Sequence, residues 1–379
     1  MPDRHEARNL EVVINYEGKD ISRDIAPFLL NFTYTDNDSD KADDIALSLE
    51  DRAGKWRNDW FPAKGDKIIA SLSAHDWEEA NKTESLPCGT FEVTQIDYSE
   101  PPSVINIKAV SVPVTKGSSS EKHTKAWENV KLRSIAEDFA NKGGLKLYFD
   151  VPDNPFYERK DQVEKSDLEF IKELCAECGA SVKVTADKLV IYDEEANEAR
   201  EAAGELKFGD KKLINYRFSS KAAGVYKAAH LQYHNAKKNL NIDVTVKSPE
   251  AEGTERVLEL NDKADNIAEA KQIAEKKLKE LNDKEVTGQI SLMGDFRFSA
   301  GNNIEIKDFG AFDGKYCIEK AVHSISGSGY TTSLDIYMGR AEKEKLKEVK
   351  AKKRAKSGAA KKSEPAPLVY QGTDVYRRS

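Results

Sequence analysis

Apolar residues that recur at every second position, in short segments parted by turn residues, constrain this chain more than any other feature. In DDIALSLED, Ile45, Leu47 and Leu49 alternate with Ala46, Ser48 and Glu50, a period of two that puts the two sets on opposite faces of a half-buried strand. LEVVINYEG, FLLNFTYTD, DKIIASLSA, GTFEVTQIDYSE and SVINIKAVSVP complete a strand-rich stretch over residues 10–115. Their Gly, Pro, Asp and Asn turns come at the short spacing of a barrel or sandwich. Residues 1–116 therefore read as a first β-barrel domain.

The pattern changes after TKGSSSEKHTKAW. Leu132, Ile135, Ala136 and Phe139 stand at helical spacing before Gly143 and Gly144, and a second helix opens at Ser166, with Glu169 three residues on to complete a capping box. With LKLYFDV and ASVKVTADKLVIYD as strands, residues 117–200 read as a small inserted α/β module. Strands return in KLINYRFSS, YKAAHLQYHN, LNIDVTVK and four later segments. Ile267, Ala270, Ala274, Leu278 and Leu281 form the apolar stripe of a helix over 263–282. Residues 201–340 thus read as a second β-barrel domain crossed by that helix. The expected fold is mainly β with α+β content.

Charge separates the last stretch from the rest. Residues 341–379 hold 12 Lys and Arg against 5 Asp and Glu, which leaves 47 against 61 before them. A basic tail on an acidic body points either to nucleic acid or to a solvated extension. The absence of interleaved aromatics in the run, and a body that repels phosphate, favour a basic, largely flexible C-terminal tail. No run of 18 apolar residues is present, so no membrane-spanning helix and no stable membrane insertion are expected. The N-terminus lacks the apolar core of a signal peptide, so the chain is expected to be made and kept in a cytoplasm, or in a particle assembled there.

The motif search is mostly negative. Asp36, Asp38 and Asp40 occupy positions 1, 3 and 5 of a calcium loop, but Lys41 stands where the turn glycine belongs and Leu47 where the bidentate glutamate belongs. The run reads instead as a polar turn feeding a strand. Cys175 and Cys178 form a C-x-x-C without the second pair that zinc needs, so helix packing is the reading and redox pairing the alternative. His230 and His234 stand four apart, on one face of a strand or helix, without the glutamate of a zinc protease. No phosphate loop, dinucleotide fingerprint or nucleophile elbow is present. No catalytic residue, metal or cofactor is expected.

YTDNDSDKADDIALSLEDRAGKWRNDWFPAKGDKI, GTFEVTQIDYSEPPSVINIKAVS, QVEKSDLEFIKELCAECGASVKVTADKLVIYD and LMGDFRFSAGNNIEIKDFGAFDGKYCIEKAVHSISGSGYTTSLDI resemble the phage late control D family. These are baseplate hub proteins of contractile phage tails and phage-tail-like bacteriocins, related to the hub part of type VI secretion spike proteins. The resemblance runs in order over residues 10–340. It implies two tube-type barrel domains per chain, so that a homotrimer presents six barrels to a six-fold tail tube and a three-fold face to a central spike. It implies the tail tube protein, the spike, baseplate wedge proteins and the tape-measure protein as partners, a place in a phage tail or phage-tail-like particle, and no enzymatic activity. An acidic body lining the channel would let DNA pass without specific binding.

Trp56, Trp60 and Phe61 form an aromatic group on the loop before a strand, with core packing and an intersubunit contact both open. Tyr370, Tyr376, Arg377 and Arg378, at the end of the tail, are candidates for docking as an extended peptide on a neighbouring acidic subunit. Two other classes compete. One is a cell-wall (peptidoglycan) binding or hydrolysing tail component, because the inserted module is LysM-like in its order of helices and strands. The other is a calcium-dependent binding module.

Overall fold

The computed structural model describes residues 8–339, apart from 39–40, 78, 80, 112–120, 153, 186–187, 222–224, 236–239, 249–253, 265 and 284, together with 342, 343 and 345. The chain divides into two compact units, Met1–Gly339 and Arg340–Ser379. The strands and helices named below belong to the first.

The opening stretch folds as β1 (Asn9–Tyr16), β2 (Lys19–Asp20), the single helical turn α1 (Ser22–Ile25), β3 (Leu29–Asn37), β4 (Asp44–Glu50), β5 (Lys67–His75), β6 (Thr83–Ser99) and β7 (Val104–Ser111). β1 turns into β2 through Glu17 and Gly18, both at positive φ, the two-residue turn whose twist suits a hairpin. The alternation read from the sequence is the alternation of burial. Ile45, Leu47 and Leu49 on β4 lie in one core with Val12, Ile14, Phe32, Phe91, Ile105 and Ile107.

The inserted module comprises β8 (His123–Lys131), α2 (Leu132–Gly143), β9 (Lys146–Asp150), β10 (Phe156–Lys165), α3 (Asp167–Glu177), β11 (Ala180–Val184), β12 (Lys188–Asp193) and α4 (Glu194–Ala199). Ser166 accepts from the Glu169 amide while Glu169 reaches back to the Ser166 amide. Gly144, left-handed at φ 65°, stops α2. β8 pairs β10, and β9, β12 and β11 form a second small sheet. Leu132, Ile135, Phe139, Phe170, Ile171, Leu174 and Cys175 make the module's own core. Both thiols of the C-x-x-C are free, and burial pushes Cys175 and Cys178 above the ordinary cysteine range. That is packing chemistry rather than the depressed value of a redox cysteine.

The last stretch comprises β13 (Ala202–Lys207), β14 (Leu213–Ser220), β15 (Ala228–Asn235), β16 (Leu240–Lys247), β17 (Val257–Leu260), α5 (Ile267–Asp283), β18 (Val286–Met293), β19 (Asn303–Lys307), β20 (Gly314–Ser326) and β21 (Gly329–Met338). Helix α5 does not cross between halves of a barrel. It packs on a separate sheet of β16, β15 and β17, with Ala270, Ala274 and Leu278 against Ala229, Leu231 and Ile242.

The strands of the first and last stretches join in one sheet. Its order is β14-β18-β21-β20-β3-β4-β7-β6-β5-β1-β2, with β19 and β13 branching from β20. The seam is antiparallel pairing of β20 with β3, Lys320 opposite Asn37 through Ser326 opposite Asn31. β20 serves both partners because an irregularity between Ile318 and Lys320 divides it. Its first residues pair β19, and those after the irregularity pair β3. The path stays open at β14 and β2, so among the described residues no sheet closes into the barrels expected from the sequence. The local strand pattern was sufficient for either outcome, because closure depends on which distant edges meet.

A sheet shared by both ends of the chain predicts shared cooperativity. Phe32 is fully buried and faces Ile325 across the seam. Phe32→Ala is expected to lower unfolding free energy by about 3–5 kcal/mol, with the first and last stretches still melting together in denaturant titration. Ser166→Ala, which removes only the α3 cap, is expected to cost about 1 kcal/mol.

Candidate functional site

The aspartate run of residues 36–44 straddles the turn between β3 and β4, and its carboxylates go to different partners. One oxygen of Asp36 takes the Lys183 ammonium of β11 at 2.5 Å and the other takes the Ala300 amide at 2.9 Å. Asp38 accepts the Tyr192 hydroxyl of β12. Asp43 accepts the Asn37 amide at 2.9 Å and so closes the turn on itself. Asp40 lies outside the described residues. The run does not converge on a cation, and among the described residues no group of three or more His, Cys, Asp or Glu side chains is placed to hold a metal.

These bonds build a polar junction of the β3–β4 turn, the inserted module and the loop before β19. Asn197 of α4 donates to the Gly301 carbonyl at 2.9 Å, and Asn303 donates to the carbonyls of Asn197 at 2.8 Å and Arg200 at 3.1 Å. Gly301 is needed there: it stands at φ +84°, and a Cβ on it would lie 2.8 Å from an Asp38 carboxylate oxygen. Burial alone would pull the Lys183 ammonium down, but Asp36 and Asp43 outweigh it and hold the group above its ordinary value. Burial pushes Asp38 up to about 6, against the Tyr192 hydrogen bond and Lys183. It pushes Asp43 up to about 6 against Lys183 as well. Two of the three carboxyls thus lack a full counter-charge.

The second region is the loop after β4. Asp51 holds it by accepting the amides of Trp56 at 2.9 Å and Arg57 at 3.1 Å. Trp56 is 6% exposed and belongs to the core, whereas Trp60 and Phe61 are 39% and 54% exposed. The two indoles meet edge to face at 5.3 Å, Phe28 meets Trp60 at 6.2 Å, and the Lys55 ammonium sits 4.8 Å from the Trp60 ring. Beside them opens an apolar cleft of about 270 Å3, lined by Ile14, Tyr16, Ile21, Trp56, Trp60 and Ile68 among others. Tyr370, Tyr376, Arg377 and Arg378 lie outside the described residues.

His230 and His234 share a face of β15, where four residues span about 13 Å, too far for one metal. His230 sits between Glu259 at 2.8 Å and Asp243 at 3.0 Å, and His234 bonds Asn241 at 2.6 Å. Sequence reasoning missed a further surface. Phe208, Tyr216, Phe218, Phe309 and Phe312 form a network of rings 5.0–6.4 Å apart around β14, the terminal strand of the long sheet. Phe208 and Tyr216 are 60% and 43% exposed. The signal for it was the placing of Phe208 and Phe309 each directly before a glycine, with Phe312 three residues after Phe309, in turn sequences rather than in the apolar alternation of a strand.

A family model described as YQBQ-like matches residues 205–337. A protein of Escherichia phage 186 named "Probable baseplate hub protein" is 26% identical over 196 residues, covering 51% of this chain and 46% of the relative. A protein of the same name from Escherichia phage P2 is 24% identical over 188 residues, covering 48% of this chain and 44% of the relative. The matches thus span less than half the length of these curated relatives. Among solved structures, the 43 kDa tail protein of prophage MuSo2 from Shewanella oneidensis aligns with a TM-score of 0.65 at 15% identity, over 86% of this chain and 98% of that one. The names of the relatives agree with the resemblance read from the sequence, and the structural likeness supports the mainly β fold.

The junction yields a pH dependence of definite sign. Asp38 and Asp43 titrate near 6 when folded, against an ordinary value of 3.8, so the folded chain binds protons more tightly. Their contribution to stability is greatest below about pH 4 and is lost as pH rises through 6. His323, which burial pulls down to about 4, works in the opposite direction, so the comparison must be made against a variant. Asp38→Asn with Asp43→Asn is expected to be more stable than the native chain at pH 7.5, by on the order of 1–3 kcal/mol, with the difference vanishing near pH 4. Melting temperatures across that range measure it. Lys183→Ala, which leaves Asp36 buried without its cation, is expected to cost about 3–5 kcal/mol at neutral pH.

Proposed function

We propose that this chain is a structural baseplate hub of a contractile phage tail or phage-tail-like particle. In this reading it works as a homotrimeric ring between the six-fold tail tube and a three-fold central spike, and its inner wall lines the channel. The observation that carries the reading is the sheet shared by the first and last stretches of the chain, taken together with a fold like that of a phage tail protein over most of both chains. Residues 1–116 and 201–340 serve as two tube-type halves, and the β3–β20 ladder sets the angle between them. Three copies then give six wall segments.

The module of residues 117–200 is braced against the wall by the Asp36–Lys183 junction, and residues 341–379 supply a basic arm. The free edges of the sheet, at β14 and at β1 beyond its short pairing with β2, are where neighbouring copies would continue the wall. Exposed Tyr216 and Phe208 supply apolar contact at the β14 edge. Tube, spike, wedge and tape-measure proteins are the partners, and an acidic lumen lets DNA slide by without adhering. No helix among the described residues is long and apolar enough to cross a membrane.

Light scattering of the purified chain across a concentration range is expected to give three times the 42.3 kDa chain mass, with negative-stain rings that have a central hole. A monomer that persists after the spike protein is added would sink the reading. Tyr216→Asp is expected to dissociate the ring and leave a folded monomer, whose melting temperature falls only by the loss of the ring contacts with Phe208, Phe218 and Phe309.

A further inference from the structure

The long sheet ends in two unlike surfaces. At the β2 end, the aromatic cleft is lined by side chains of four strands that face the core, Ile14 of β1, Leu47 and Leu49 of β4, Ile68 of β5 and Ile107 of β7. Trp60 also lines it, and stays exposed although its ring meets Trp56 and Phe28 edge to face. Asp24 of α1 is a further lining residue, and its exposed carboxylate has no cation bonded to it among the described residues. An apolar cavity of about 150 Å3 holds a benzene molecule. The cleft, at about 270 Å3, therefore has room for one aromatic ring and part of a second side chain.

At the other end, β14 has a strand on one side only. Phe208, in the turn before it, is 60% exposed, more than any other large apolar side chain among the described residues, and Ile214 and Tyr216 on the strand are exposed as well. Phe309 and Tyr216 meet the Phe208 ring edge to face at 5.6 and 6.4 Å, so the ring is held in place before any partner arrives and has less freedom to lose on binding. Residues 211–221 carry Lys211, Lys212, Arg217 and Lys221 and no acid. Lys211 and Arg217 are exposed and make no ion pair among the described residues. One end thus offers a presented ring beside free cations, and the other a cleft of matching size beside a free carboxylate. The two ends are not paired with each other in the chain, so the surface that fits each of them is found on a second copy.

We propose that copies of this chain meet head to tail, the Phe208 ring of one entering the Trp60 cleft of the next, with Arg217 facing Asp24. The proposal rests on the ring put forward above and names the contact that closes it. Because the two patches differ, the contact repeats from copy to copy and ends only when the ring closes. Three full-length variants test it. Phe208→Asp spoils the presented ring, Trp60→Asp spoils the cleft, and Asp24→Arg sets like charge against Arg217 without touching the aromatic packing, which keeps the cleft side testable if Trp60→Asp does not fold. Each variant alone is expected to lose the trimer mass in light scattering and to remain a monomer with a native circular dichroism spectrum. Mixed in equal amounts, Phe208→Asp brings an intact cleft and Asp24→Arg an intact ring. The mixture is expected to form a dimer of one copy of each, at twice the chain mass, and to stop there because both remaining ends are spoiled. A single contact lacks the reinforcement of ring closure, so the mixture is weighed up to about 100 μM. A Phe208→Asp or Asp24→Arg chain that keeps the trimer mass would overturn the contact and leave the ring standing, and so would a mixture that stays monomeric at the highest concentration. A native chain that stays monomeric with the spike protein present would overturn the ring itself and the contact with it.

Discussion

The antiparallel ladder between β3 and β20 is the interaction on which the rest of the architecture depends. It joins Asn31–Asn37 to residues 320–326, and without it the strands of the first stretch and those of the last would be two open sheets with a long unsatisfied edge each. Backbone groups on such an edge must find partners, and here they find them in the same chain. The irregularity at Ile318–Lys320 lets one strand pair with β19 over part of its length and with β3 over the rest. A single β20 thereby holds three neighbours, and both halves of the chain share its rigidity.

The junction at Asp36 applies a different kind of constraint. Lys183 and Asp36 are side chains 18% and 5% exposed, so their attraction is offset by the loss of hydration, and the pair adds little net stability over a well-packed apolar substitute. What such a pair provides is registration. Lys183 is bonded to Asp36, and Tyr192 to Asp38. The module core of Leu132, Phe139, Phe170 and Leu174 is complete within itself, so apolar packing alone would not fix how the module is set against the wall. The polar contacts specify that orientation.

How much of the fold was legible in the sequence depends on the range of each signal. Alternation over Ile45, Leu47 and Leu49, the helical stripe of α2 and the Ser166 capping box are local, and each appears in the structure as read. The length of α5 was readable, but its partner was not, because an apolar stripe says that a face is covered and not by which sheet. Barrel closure, the β3–β20 seam and the destination of the aspartates depend on residues far apart in sequence. One aspartate-rich run suits a cation loop through Asp36, Asp38 and Asp40 or, through Asp36, a lysine at position 183, and only the fold decides between them. Trp56 and Trp60 illustrate the same limit: four residues apart on one loop, one is core and the other is surface.

The seam also governs the order of events during synthesis. Asn31 and Ser324, hydrogen-bonded across it, are 293 positions apart. At about 5–20 residues per second a ribosome needs on the order of 15–60 s to bring the second strand out after the first. Throughout that interval β3 can pair with β4 on one side while its other edge presents bare amides and carbonyls beside Phe32 and Tyr34. Many nascent copies made at once would hold that edge open together, and strand exchange between them competes with the native closure. Fewer nascent copies at one time, and a chaperone that covers the open edge, are therefore expected to favour the native closure.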